Sequence, residues 1–168
     1  NALSINLTLE IARDKKFYIQ TYSQGAPNSK LKAVLKNSIK KGTKITFTPD
    51  PEIFNDSTDF DSSIIYNMAK AKAYLIPNVE INWSCPKSLA GKNIPITEKL
   101  HYSNGIRDYL ETITQKNDSV IEDSFYINEK LGGDESLEAI INWYEFFEPV
   151  TNSYCNTILT PQGGTHEN

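Results

Sequence analysis

Arginine is nearly absent from this chain: Arg13 and Arg107 are the only two, and lysine supplies the rest of the 17 basic residues. Against 21 acidic residues the formal net charge is −4. That balance excludes a strongly basic nucleic-acid footprint. Cysteine is as scarce. Cys85 and Cys155 stand far apart, without metal-ligand spacing, so neither a zinc site nor a disulfide framework is expected, and both thiols are expected to be free and buried. No apolar run approaches the length of a membrane-spanning helix, and there is no signal-peptide pattern. The expectation is a soluble, cytoplasmic chain with no membrane partner. No Walker-type loop occurs, because no lysine follows Gly163-Gly164 at the required spacing. His101 has no nucleophile or carboxylate at a recognisable spacing and is read as structural. At 168 residues the chain allows one domain or two small ones.

What is present is mostly strand pattern, organised around residues 42–54. Thr43, Ile45 and Phe47 point to one face, and Lys44, Thr46 and Thr48 to the other. Pro49 cannot donate to a ladder and ends the strand. Asp50-Pro51 then initiates a turn. A core strand is expected here, with Thr43 at its mouth. Upstream, Asn1–Ser4 has the look of a helix end. Ile5, Leu7, Leu9 and Ile11 alternate with Asn6, Thr8 and Glu10 as a half-buried strand. Asp14-Lys15 predicts a hairpin turn, and Phe17–Tyr22 the return strand, closed by Gln24-Gly25-Ala26-Pro27. Arg13 has the inward parity. A buried guanidinium without a partner is costly, so Arg13 is expected to be solvated or re-paired, or merely to flank the turn. Lys30, Lys32, Lys36, Lys40 and Lys41 crowd residues 28–41. No aromatics are interleaved for base stacking, so this reads as a solvated connection rather than a nucleic-acid contact.

Farther along, Thr58-x-x-Asp61 resembles a helix-start box. Phe60, Ile64, Met68 and Leu75 form a helical stripe, broadened by Ile65 and Ala69, and Pro77 ends the helix. Val79–Trp83 reads as a strand, residues 86–97 as a polar loop, and Leu100-His101-Tyr102 as a short strand. Ser103-Asn104-Gly105 starts a second helix carrying Ile106, Tyr109, Leu110 and Ile113. From Ser124 the pattern turns to β-hairpins, with Leu131-Gly132-Gly133-Asp134 as a turn. Leu137, Ala139, Ile141 and Trp143 face one side and Ile140, Tyr144 and Phe146 the other, which suits a central strand or an interface. Residues 152–160 are expected to run extended to Pro161.

Two of these stretches carry a family resemblance. Gly42-Thr43-x-Ile45-x-Phe47-x-Pro49-Asp50 followed by Pro51-Glu52-Ile53-Phe54, and Ser153–Glu167 with its Gly163-Gly164-Thr165-His166-Glu167, resemble the B subunit of type IIA DNA topoisomerases. The run Met68–Leu75 into Val79–Cys85 is more similar to the topoisomerase IV branch than to gyrase. Ser103-Asn104-Gly105 departs from the family's Glu-Gly-Gly, though the turn keeps a glycine for positive φ.

The resemblance implies an α+β chain: the C-terminal part of a GHKL-type ATPase sandwich over residues 1–102, then the first hairpins of a ribosomal S5-like transducer domain over 103–168. It places Arg13, Gly42, Thr43 and Ile45 in the wall of an ATP pocket. Gly42-Thr43 would open the strand at the pocket floor, the threonine hydroxyl in a water network to adenine, with Ile45 lining the adenine site and Arg13 at the edge. It implies ATP and Mg²⁺ as cofactors of the parent protein. The partners it implies are duplex DNA, the topoisomerase's DNA-cleaving A subunit, which carries the active tyrosine, and a second copy of the B subunit. No catalytic and no metal-binding residue is expected in this stretch, because the family's glycine-rich lid, glutamate base and metal ligand belong upstream, and the lysine that meets the γ-phosphate downstream. The 168 residues alone are therefore expected to be inactive and to bind no nucleotide tightly. His166 is expected to pack at a helix start. The competing readings are a gyrase B segment, a mismatch-repair ATPase of the same superfamily, and a non-catalytic interaction module.

Overall fold

The computed structural model describes residues 1–34, 41–55, 59–91, 93–114, 118–145 and 148–163. The chain divides into two compact units, Asn1–Phe60 and Asp61–Asn168. Lys36, Lys40, Thr58, Phe146 and the Gly164–Glu167 part of the second signature lie outside the described residues.

The first unit is an antiparallel sheet. Strands β1 (Ser4–Arg13) and β2 (Lys16–Ser23) form a hairpin through Asp14 and Lys15, whose φ values are 52° and 59°. Positive φ at both central residues matches the right-handed twist of the flanking strands. The same device, at Gln24 and Gly25, returns the chain into β3 (Ala26–Pro27). Strand β4 (Lys32–Val34) pairs with β2, and β5 (Gly42–Pro49) pairs with β1 on its other side. The β1–β5 register sets Leu7 opposite Phe47, Leu9 opposite Ile45 and Ile11 opposite Thr43, so the predicted alternation holds.

Burial differs from expectation. Gly42–Thr48 are all exposed, Ile45 at 58% and Phe47 at 49%, so β5 is not a core strand. Among the described residues it pairs only with β1, which leaves it an edge. Residues 1–4 form a turn closed by the Ser4 amide donating to Asn1 O, not a helix end. At the far end of β5, Asp50 does more than start a turn. It is 1% exposed and caps the short helix α1 (Pro51–Phe54). Its Oδ1 accepts from the Glu52 amide and its Oδ2 from Gln24 Nε2, each at 3.0 Å.

The second unit opens with helix α2 (Ser62–Leu75). Its cap is Asp61, which accepts from the Ser63 and Ile64 amides at 2.8 and 3.2 Å. Hydrogen bonds from the Ser63 hydroxyl and from these two amides hold its carboxyl below the ordinary carboxylate value. The buried face is Tyr66, Ala73 and Tyr74, with Ala69 half-buried, while Ile64 and Met68 are 65% and 53% exposed. The aliphatic stripe therefore misplaces the helix by a face. Alanines let α2 sit close to the ribbon β6 (Ile81–Ser84) and β7 (Thr97–Leu100), and the tyrosines bring large apolar bodies with a polar tip that finds a partner.

Leu100 is fully buried in a cluster with Tyr66 and Ala73, against Ile81, Trp83, Ile94 and Tyr102. Tyr66 Oη donates to Glu98, and the Tyr74 and Tyr102 rings stack at 3.7 Å. Strand β6 starts at Ile81, two residues later than expected. Strand β7 ends at Leu100, so His101 and Tyr102 follow it rather than belong to it. The loop before β7 contains a 3₁₀ turn at Lys87–Leu89.

Helix α3 (Ile106–Thr114) begins after Gly105, as the turn chemistry predicts; Gly105 has φ +62°. Strands β8 (Phe125–Gly132) and β9 (Glu135–Ile141) form a hairpin about Gly132-Gly133. Strand β9 is not central: among the described residues it pairs only with β8, and Leu137 and Ile141 remain 37% and 47% exposed. The stretch predicted to be extended is a tight hairpin of β10 (Tyr154–Cys155) and β11 (Ile158–Leu159), turned by Asn156 and Thr157 with φ 49° and 67°. Both cysteines are free, but Cys155 is exposed and Cys85 only half-buried.

Candidate functional site

Thr43 and Ile45 lie on β5 opposite Ile11 and Leu9 of β1. Opposed residues of an antiparallel pair share a face, so these four side chains form one surface, extended by Leu7 and Phe47. Gly42, opposite Ala12, continues the edge; a Cβ built there meets nothing within 4 Å. The arrangement is an apolar shelf with a hydroxyl at one end. On the other face, Lys44 Nζ lies 3.0 Å from the Glu10 carboxylate across the same strand pair. Such a pair is worth little in stability, but it helps hold the register.

Arg13 stands two residues beyond Ile11, at the end of the same face. Its side chain is 74% exposed, and its Nε lies 3.5 Å from Asp14 at the turn. The structure thus groups Thr43 and Ile45 with Leu9 and Ile11, and leaves Arg13 beside the hairpin loop. No cluster of histidine, cysteine or acidic side chains able to hold a metal occurs among the described residues. His101 is exposed, with Nδ1 3.4 Å from Val79 O.

A larger concavity in the second unit escapes the sequence reading. It is a groove of about 680 Å³ between α2, α3 and the β10–β11 hairpin. A signal for it is present in the sequence: Ile64 and Met68 are apolar, yet the packed face of α2 does not use them.

Comparison with known proteins bears on both units. The DNA gyrase B family model matches residues 105–168. A curated relative, the B subunit of DNA topoisomerase 4 from Bartonella bacilliformis, is 39% identical over 99% of this chain and 24% of its own length. Along nearly its whole length the chain is thus similar to B subunits of DNA topoisomerase 4. The chain spans about a quarter of the length of the curated relatives it matches. Two solved structures extend the likeness to three dimensions. The 43K ATPase domain of Thermus thermophilus gyrase B, in complex with an aminocoumarin, matches with a TM-score of 0.80 and 28% identity over 99% of this chain and 43% of that one. The topoisomerase IV ATP-binding domain of Francisella tularensis, in complex with a small-molecule inhibitor, matches with a TM-score of 0.73 and 29% identity over 99% and 42%. The chain accordingly has an α+β, antiparallel architecture like that of GHKL-type ATPase domains.

Proposed function

We propose that this chain is a segment of the ATP-hydrolysing subunit of a type IIA DNA topoisomerase, which relaxes or decatenates DNA by ATP-gated duplex passage. The observation that carries the reading is the match along 99% of the chain to the B subunit of a topoisomerase IV, with 39% identity. That identity favours topoisomerase IV over gyrase, the alternative. In this reading residues 1–102 close the ATPase domain and residues 103–168 open the transducer domain. ATP with Mg²⁺ serves the parent protein. Its partners are duplex DNA, the DNA-cleaving A subunit, and a second copy of the B subunit, in the cytoplasm.

The shelf on β1 and β5 is assigned to the wall of the ATP pocket. A flat heteroaromatic ring can lie against Leu9, Ile11 and Ile45, which lose apolar surface to it. The Thr43 hydroxyl, donor and acceptor at once, then reaches a polar edge of the ring directly or through water. Gly42 leaves the space beside Thr43 open. Arg13 has the reach to turn from Asp14 toward an anionic group at the rim. No residue of this chain is assigned to Mg²⁺ or to the chemical step. The exposed apolar faces of β5 and β9 favour an interaction module as the second reading.

Calorimetric titration of the 168-residue chain with a non-hydrolysable ATP analogue and Mg²⁺ tests the assignment. The expected result is no detectable binding and no turnover above background. Tight binding would mean that the chain holds a complete nucleotide site. In the full-length parent protein, Thr43→Ala and Ile45→Asp should each raise the nucleotide Kd. Unchanged affinity in both would remove the shelf from the pocket.

A further inference from the structure

The groove of the second unit shares no residue with the β1–β5 shelf. Its floor is apolar: Ile64 and Met68 from α2, Ile113 from α3, Ile158 and Leu159 from β11. At about 680 Å³ it falls in the size range of small-molecule sites, and a mainly apolar lining with a few converging polar groups is their usual composition.

Among the described residues the charged groups that line the groove are of one sign: Lys70 and Lys72, with no aspartate or glutamate. Lys72 Nζ is held by Thr157 Oγ1 at 3.0 Å, so one ammonium is positioned where the hairpin meets the helix. Tyr109 and Tyr154 add phenol groups. Burial is the first cause raising both of their pKa values, so both are neutral hydroxyls at ordinary pH. Tyr109 Oη accepts from Asn152 Nδ2 at 3.0 Å, and Tyr74 Oη and Thr112 Oγ1 bond each other at 3.0 Å. In a chain of net charge −4, a concavity whose described lining carries cations and no acids is selective by sign.

We propose that this groove is a binding site for an amphipathic monoanion: an unbranched or ring-bearing apolar body that covers Met68, Ile113 and Ile158, with one carboxylate at Lys72. The apolar body supplies the affinity, because it covers side chains left open to water. The lysine supplies the selection, because a neutral or cationic head gains nothing there.

The test uses the whole chain and sodium decanoate below its micelle concentration, with binding followed by calorimetry and by tyrosine fluorescence. Saturable one-site binding is expected, with decanol and decylammonium weaker. Lys72→Met keeps the aliphatic stem and removes the charge, and should weaken decanoate binding by about fivefold, the scale of one half-solvated charge contact. Met68→Glu places a like charge on an exposed helix position that tolerates it. It should abolish decanoate binding while the circular dichroism spectrum stays unchanged. Equal affinity for decanol and decanoate, or wild-type decanoate binding in both variants, would overturn the proposal. So would the absence of saturable binding.

Discussion

Gly105 is a residue whose identity the fold narrowly requires. Its φ of +62° lies in the left-handed region, and a Cβ built on it comes 3.3 Å from the Tyr74 carbonyl oxygen. Gly105→Ala should therefore destabilise the second unit by about 1–2 kcal/mol, read as a lower urea midpoint. An unchanged midpoint would mean that the turn into α3 relaxes freely. Tyr66 makes a different demand. Burial first, then the hydrogen bond to Glu98 and the charge of that carboxylate, push its phenol from the ordinary 10.0 to about 12. Because the folded pKa is raised, the contribution is complete below pH 10 and is lost as pH rises through 12. Over that window the unfolded chain releases the proton and the folded chain keeps it. Tyr66→Phe removes this group from the linkage. The variant's stability should fall less steeply with alkaline pH than the parent's, and parallel curves would contradict the assignment.

Among elements, the contrast between the β6–β7 ribbon and the β8–β9 hairpin is the sharpest. Leu100 on β7 is fully buried against α2, whereas Ile141 on β9 is 47% exposed. Leu100→Ala should cost about 2–5 kcal/mol by cavity formation. Ile141→Ala should cost under about 1 kcal/mol, as an exposed position does. Denaturant unfolding of the two variants distinguishes them, and comparable losses would restore the central-strand reading of residues 137–147. Between helix α3 and the hairpin, the Arg107 guanidinium sits 3.8 Å over the Tyr126 ring, with Tyr126 Oη donating to Glu138 at 2.9 Å. Such a contact holds orientation more than it adds stability.

For the molecule as a whole, the decisive quantity is surface. Among the described residues the buried apolar set is only Ala12, Tyr66, Ala73, Tyr74 and Leu100. Apolar faces left open on β5 and β9, and the edge of β5 that pairs with no further strand among the described residues, favour association with further copies. Sedimentation of the 168-residue chain should show concentration-dependent self-association, and a stable monomer across the accessible range would contradict it.

Local order was legible in the sequence, because it follows from neighbours along the chain. Alternation placed Thr43, Ile45 and Phe47 on one face, Asp14-Lys15 gave the hairpin, Pro49 ended β5, and Gly105 opened α3. The two family signatures needed no structure, since residue identity at fixed spacing carries them. Burial was another matter. Tertiary packing alone decided that β5 is an edge, that α2 buries tyrosines and alanines rather than Ile64 and Met68, and that residues 154–159 fold back instead of running on. Which apolar residue is covered depends on elements far away in sequence, and the pattern along one helix or strand cannot report what lies across from it.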